Sequence, residues 1–346
     1  MNPHTKLITI TSLILGTTLT ISSNHWAMAW AGLEINTIAI IPMISKSHHP
    51  RAIEAAIKYF LVQAAASASI LFSSMINAWA SGQWDITQLT NTTSCLLLTT
   101  AIAMKLGLTP FHFWFPEVLQ GSSLTTALLL STVMKFPPIA ILLLTFNSLN
   151  PPLLTLMAIM STALGGWMGL NQTQIRKILA FSSISHLGWM TAIIIYAPKL
   201  TLLTFLLYTL LTSTIFLSLN MSNITKLSTL MTSWTKTPTL NATLMLTLLS
   251  LAGLPPFIGF LPKWLIIQEL TKQEMTPMAL TIALLSLLSL FFYLRLTYFS
   301  SITLPPTSIN QTKHWYTYKN TNTLTAILTS LSILLLPLSP LILSTI

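Results

Sequence analysis

Apolar runs of about twenty residues, the length a bilayer-crossing helix needs, follow one another down the whole chain, divided by Pro, Asn and sparse charges. Eleven segments read as spans: 4–22, 26–45, 54–80, 92–117, 123–147, 151–171, 177–196, 200–222, 240–271, 276–300 and 323–345. Only 6% of the 346 residues are charged, against about 25% in soluble domains. That is too few to coat a water-facing surface. The runs lack the period-two alternation of a transmembrane barrel. Loops are short except 223–238 and 301–322. The chain is therefore expected to be an all-α polytopic membrane protein.

Several function classes drop out. The net charge of +10 forms no compact basic patch with interleaved aromatics, so nucleic acid is not an expected partner. Cys95 is the one cysteine, which excludes an intrachain disulfide and a cysteine-held metal or iron–sulfur centre. With 11 glycines and no Gly-rich loop, no nucleotide site is expected. Two histidines within spans are weak grounds for haem. The first apolar run follows a lysine as a signal peptide would. A second full run from Trp26, with no clear cleavage site between, favours a retained span.

Basic residues orient the spans. Alternating from the N-terminus, one side receives Lys6, Lys46, Arg51, Lys58, Arg176, Lys177, Lys226, Lys236, Lys313 and Lys319, and the other only Lys199 and Lys272. Positive charge collects on the side from which helices insert, so the N-terminus is expected there.

An internal repeat marks the interior. Residues 107–116 read GLTPFHFWFP and residues 253–262 read GLPPFIGFLP, identical at five of ten positions at an offset of 146. Each sits in the fourth span of a block of five, and a five-helix unit inverts when repeated in tandem. Two inverted five-helix repeats follow as an expectation. Residues 1–150 hold broken helix 92–117, residues 151–300 hold broken helix 240–271, and residues 301–346 add a loop and one C-terminal helix. Corresponding broken helices point to a transport path. Pro110, Pro116, Pro256 and Pro262 are expected to leave the carbonyls of Leu106, His112, Ala252 and Ile258 without their helical donors, which a bilayer tolerates only where protein or water satisfies them.

Charges inside spans sharpen this. Lys105, Lys135 and Lys263 lie deep and beside prolines, where a lysine costs ~2.5–3.5 kcal/mol or more and marks an ion pathway. Arg295 lies near its span end, where snorkelling accounts for it. Glu34 is the one mid-span acid among six and can either pair statically with a lysine or switch its charge. His186 in FSSISHLGWM and His112 beyond the break each either bond a carbonyl or titrate. Burial disfavours a charged lysine and a nearby carboxylate favours it, so a moving partner makes the lysine gain or lose a proton. No carboxylate ring for a hard metal cation is present.

MNPHTKLI, GLEINTIAIIP, AMKLGLTPFHFWFPEV, MKFPPIAIL, KILAFSSISHLGWM and LAGLPPFIGFLPKW closely resemble the antiporter-like membrane subunits of respiratory complex I, in their vertebrate mitochondrially encoded form. The resemblance runs along the whole chain. It implies eleven helices, three fewer at the N-terminus than bacterial relatives keep, in the mitochondrial inner membrane with the N-terminus in the matrix. It implies a Glu34–Lys105 pair, a bridging Lys135, His186 on a central hydrophilic axis and Lys263 near the exit, with His112 placed but without a defined role. It further implies that NADH, FMN, iron–sulfur clusters and ubiquinone are bound by other subunits of the complex. Partners would be neighbouring antiporter-like and other membrane-arm subunits, accessory subunits and lipid. A stand-alone cation/proton antiporter, a structural membrane spacer and an internal oxidoreductase centre are the competing readings.

Overall fold

The computed structural model describes residues 3–234, 237–301 and 323–340. Lys236, Lys313, Lys319, loop residues 302–322 and the last part of the expected span 323–345 lie outside the described residues.

The described residues form helices and no strands, with isolated bridges at His25–Asp85 and Gln174–Lys226. In order these are α1 (Pro3–Ser22), α2 (Trp26–Ile44), α3 (Pro50–Ser81), α4 (Thr92–Leu106), α5 (Trp114–Gly121), α6 (Leu124–Ser131), α7 (Phe136–Leu144) and α8 (Pro151–Gly169). Then come α9 (Ile175–Ile193), α10 (Pro198–Ser222), α11 (Leu227–Ser233), α12 (Pro238–Ala252), α13 (Phe260–Lys272), α14 (Thr276–Ser301) and α15 (Thr323–Leu334). The stretch 223–238, expected to be a loop, thus contains the short helix α11.

Local chemistry sets the ends. His25 and His49 cap α2 and α3 through Nδ1, accepting from the amides of Ala27 at 3.1 Å and Arg51 at 3.2 Å. Pro50 at the start of α3 needs no partner for an amide it lacks. Along the helices, Ser and Thr hydroxyls donate to carbonyls three or four residues back, as Thr9 does to Lys6 at 2.9 Å and Ser183 to Ala180 at 2.7 Å. Hydroxyls satisfied within their own helix can sit in hydrocarbon without water.

Seven helical segments among the described residues are long and apolar enough to cross a membrane: α1, α2 with its 3-10 extension, α3, α6–α7 together, α8, α10 and α14. Four further segments were read as spans. Two are divided into halves, α4 with α5 and α12 with α13. One is α9, with Arg176, Lys177 and His186, and one is α15. At 1.5 Å per residue the 15-residue α4 and α12 fall short of the roughly 30 Å hydrocarbon core. The chain is a multi-pass, all-helical membrane protein.

The described residues form two compact units, one within 1–161 and 190–198 and the other within 162–189 and 199–346. In the first, α1 lies along α2, α3 packs on α2, α4 and α5, and α7 meets α1 and α4. In the second, α12 packs on α13, α14 and α15, and α14 also meets α11 and α13.

Candidate functional site

Both interruptions are built by glycine. α4 ends at Leu106, and Gly107 takes φ +74°. Its amide donates to the Met104 carbonyl at 3.3 Å while the Leu108 amide donates back to Ala103 at 2.9 Å. In α12, Gly253 at φ +82° repeats this, donating to Ser250 at 3.0 Å, with Leu254 reaching Leu249 at 3.5 Å. Each is the Schellman termination that a residue without Cβ favours. This corrects the proline reading, since both helices have ended before their prolines begin. Pro110 and Pro256 lie in the gap, whereas Pro116 and Pro262 sit in the first turns of α5 and α13, where a missing amide costs no helical bond.

Protein groups also meet carbonyls expected to lack helical donors. His112 accepts from the Phe115 amide at 3.1 Å and Ile258 from the Leu261 amide at 3.1 Å. The Ala252 carbonyl accepts from Lys263 Nζ at 2.7 Å. Outside that expected set, the indole of Trp114 donates to the Met104 carbonyl at 3.1 Å.

In the first unit the break creates a buried cationic pocket. Lys105, in the last turn of α4, is 5% exposed, and its Nζ has no hydrogen-bond partner among the described residues. Lys135 is 3% exposed, on the 3-10 turn Val133–Lys135 that separates α6 from α7, with Nζ 4.9 Å from the Phe115 ring centre. Both line one cavity with Tyr59, Gln63, Trp114 and Phe115. Its volume of ≈ 20 Å³ exceeds the roughly 10–15 Å³ that a cavity needs to hold one water. Glu34, half-buried on α2, accepts from Thr37 Oγ1 at 3.0 Å. Its charge acts on Lys105 and on the Tyr59 hydroxyl, although Glu34 does not bond Lys105 directly.

His112 stands apart from that cavity. It lies in the break, 1% exposed, its ring 4.2 Å from that of Phe113. The Pro110 carbonyl acts on it, yet neither ring nitrogen makes a well-formed hydrogen bond.

In the second unit Lys263 folds back from α13 to the end of α12. There its ammonium meets both the Ala252 carbonyl and the negative pole of the helix. His186 on α9 sits among tyrosines, its ring 5.6 Å from that of Tyr208 and its Nε2 3.5 Å from the Tyr293 hydroxyl. Tyr208 and Tyr293 share hydrogen bonds with Ser183 and Ser182. Arg295 extends to the end of α8, donating from Nη1 to the Leu170 carbonyl at 2.5 Å.

Sequence reasoning thus located the ionisable residues and missed their neighbours: Tyr59, Gln63 and Trp114 around Lys105, Tyr208 and Tyr293 around His186. One signal was available, because the repeated Gly-Leu dipeptide already marked both helix ends. Among the described residues no group of three or more His, Cys, Asp or Glu could hold a metal ion.

Comparison with known proteins agrees with this architecture. A family described as NADH:quinone oxidoreductase/Mrp antiporter, transmembrane, matches residues 23–289, and one described as NADH dehydrogenase subunit 2 C-terminus matches residues 290–343. NADH-ubiquinone oxidoreductase chain 2 of Struthio camelus is 75% identical over 344 residues, 99% of each chain. The protein of that name from Gallus gallus is also 75% identical over 344 residues, again 99% of each. A chain of respiratory complex I from Thermus thermophilus superposes with a TM-score of 0.81 at 27% identity, over 94% of this chain and 77% of that one. A chain of the Mrp complex from a Dietzia species shares the fold, with a TM-score of 0.79 at 18% identity, over 88% of this chain and 62% of its own.

Proposed function

Because the chain belongs to the NADH:quinone oxidoreductase/Mrp antiporter family, in its NADH-ubiquinone oxidoreductase chain 2 branch, we propose that it is a core membrane-arm subunit of respiratory complex I. In that role it is an antiporter-like module of the proton-translocating NADH:ubiquinone reductase. The observation that carries the mechanism is the pocket in which Lys105 and Lys135 face one water-sized cavity with Glu34 in electrostatic reach.

Burial opposes the charge on both lysines. A proton on Lys105 is therefore held or released according to where the Glu34 carboxylate stands. Water in the cavity offers the path to Lys135. His186, between Tyr208 and Tyr293, and Lys263, on the Ala252 carbonyl, are the stations of the second unit. When Lys263 gives up its proton, the Ala252 carbonyl loses a charged donor, which ties protonation to the geometry of the break. His112 is assigned to the first break as a secondary proton-binding group.

The matched Gly107 and Gly253 terminations, 146 residues apart and each closing a 15-residue helix, support two inverted five-helix repeats within eleven spans. By the same reading the protein resides in the mitochondrial inner membrane with its N-terminus in the matrix. Neighbouring membrane-arm and accessory subunits and lipid surround it, and NADH, FMN, iron–sulfur clusters and ubiquinone are held by other subunits.

Lys105→Met in the assembled complex tests this reading. The complex is expected to assemble, with fewer protons moved per electron and slower coupled turnover. An unchanged proton-to-electron ratio refutes it. Sodium–proton exchange by the isolated chain in vesicles would favour a stand-alone antiporter. A purely structural spacer predicts that neutralising all three lysines alters assembly alone.

A further inference from the structure

Tyr59 and Gln63 lie four residues apart on α3 and so share one face of that helix. Both line the cavity that holds Lys105 and Lys135. Gln63 Nε2 donates to the Lys105 carbonyl at 3.4 Å and so ties α3 to the final turn of α4. Tyr59 is 1% exposed, and its ring meets Trp114 edge-on at 5.8 Å. Its hydroxyl has no hydrogen-bond partner among the described residues, and the Glu34 carboxylate is close enough to act on it.

An apolar contact would be served by phenylalanine. A buried hydroxyl that makes no bond is destabilising, so its presence calls for a partner, and the cavity that Tyr59 lines is where one can stand. That space is lined by Gln63 and two lysines among apolar side chains and is large enough for water. Tyr59 borders the cavity and feels Glu34, which is not within bonding reach of Lys105.

We propose that the Tyr59 hydroxyl is the relay between Glu34 and Lys105, working through water in the cavity. Its oxygen accepts a proton from one side as it releases its own to the other. One proton crosses, the phenol ends neutral and no heavy-atom bond changes. Gln63 is a positioning residue that holds Lys105 in register with the relay. This inference rests on the proton-translocating reading given above.

The test is Tyr59→Phe in the assembled complex, which keeps the ring against Trp114 and removes only the hydroxyl. Complex abundance, proton-to-electron ratio and the solvent deuterium isotope effect on coupled turnover are measured beside Glu34→Gln and Lys105→Met. Tyr59→Phe is expected to assemble at normal abundance, to lower the ratio as far as Glu34→Gln does, and to change the isotope effect. The double variant should be no worse than either single one. A normal ratio in Tyr59→Phe, with losses in the other two, overturns the relay and leaves the proton-translocating reading standing. Normal ratios in all three overturn both. Should the phenylalanine variant not assemble, Tyr59→His, which can carry a proton, is expected to exceed Tyr59→Met in ratio. Equal ratios in that pair refute the relay.

Discussion

Gly253→Ala separates the two copies of the broken helix in a measurable way. Gly253 has φ +82° and Gly107 φ +74°, so alanine at either position is forced into the left-handed region at about 1–2 kcal/mol. The surroundings differ. A Cβ on Gly107 would come no nearer than 3.4 Å to Phe115 Cβ, an ordinary contact. A Cβ on Gly253 would stand 2.9 Å from both Cδ and Nζ of Lys263. A lysine tail can swing away, but doing so breaks its 2.7 Å bond to the Ala252 carbonyl. Pro256 has no amide to replace it. Losing a charged hydrogen bond costs about 1.5–3 kcal/mol, so Gly253→Ala should cost ~2.5–5 kcal/mol in total, the sum of the two effects. Gly107→Ala should cost only the first. The assay is thermal inactivation of the purified complex, with each glycine variant repeated in a Lys263→Met background. There the excess cost of Gly253→Ala should vanish, since no ammonium remains to displace. Equal costs for the two glycines, or an excess that survives Lys263→Met, would refute the reasoning.

Three other outcomes are expected. Trp114→Phe keeps an aromatic ring and deletes the 3.1 Å bond to the Met104 carbonyl, so the complex should lose about 1 kcal/mol of stability, read as a modest drop in inactivation temperature. Arg295→Met removes the donor from the Leu170 carbonyl and should cost about 1.5–3 kcal/mol, with Arg295→Gln recovering part of it; equal loss in both would argue that only the aliphatic stem matters. Lys58 bridges Glu54 on its own helix and Glu117 on α5, at 2.5 and 2.6 Å. Lys58→Met should leave two facing carboxylates and loosen α5 against α3, detected as faster proteolysis in the 114–121 region. That effect should fade as salt is raised, because the groups are exposed.

Much of this protein was legible along the chain. The membrane class needed only the spacing of apolar runs and the 6% charge content. Lys105, Lys135 and Lys263 were visible because a charge in an apolar run is conspicuous whatever surrounds it. The breaks were visible as well, but their agent was not. Proline is the louder signal, and only the backbone angles identify Gly107 and Gly253 as the residues that end the helices. Seven segments satisfy length and hydropathy alone. The others are halves, are more polar or extend beyond the described residues.

What sequence by itself determined was therefore every property legible from residue types and their spacing along the chain: hydropathy, the repeat at 146 and the placement of charge within apolar runs. Tertiary structure alone decided which groups answer those charges. Gln63 meets the Lys105 carbonyl across 42 residues, and Tyr293 meets His186 across 107. Glu34 acts on Lys105 from another helix without bonding it. Lys105 stands with Lys135, Tyr59 and Trp114 at one cavity, while Lys263 at the second break is bonded to a carbonyl. The physical reason is that helical periodicity fixes which face a side chain occupies, whereas the group opposite depends on how separate helices pack. That packing brings together residues whose separation along the chain encodes nothing about their distance in space.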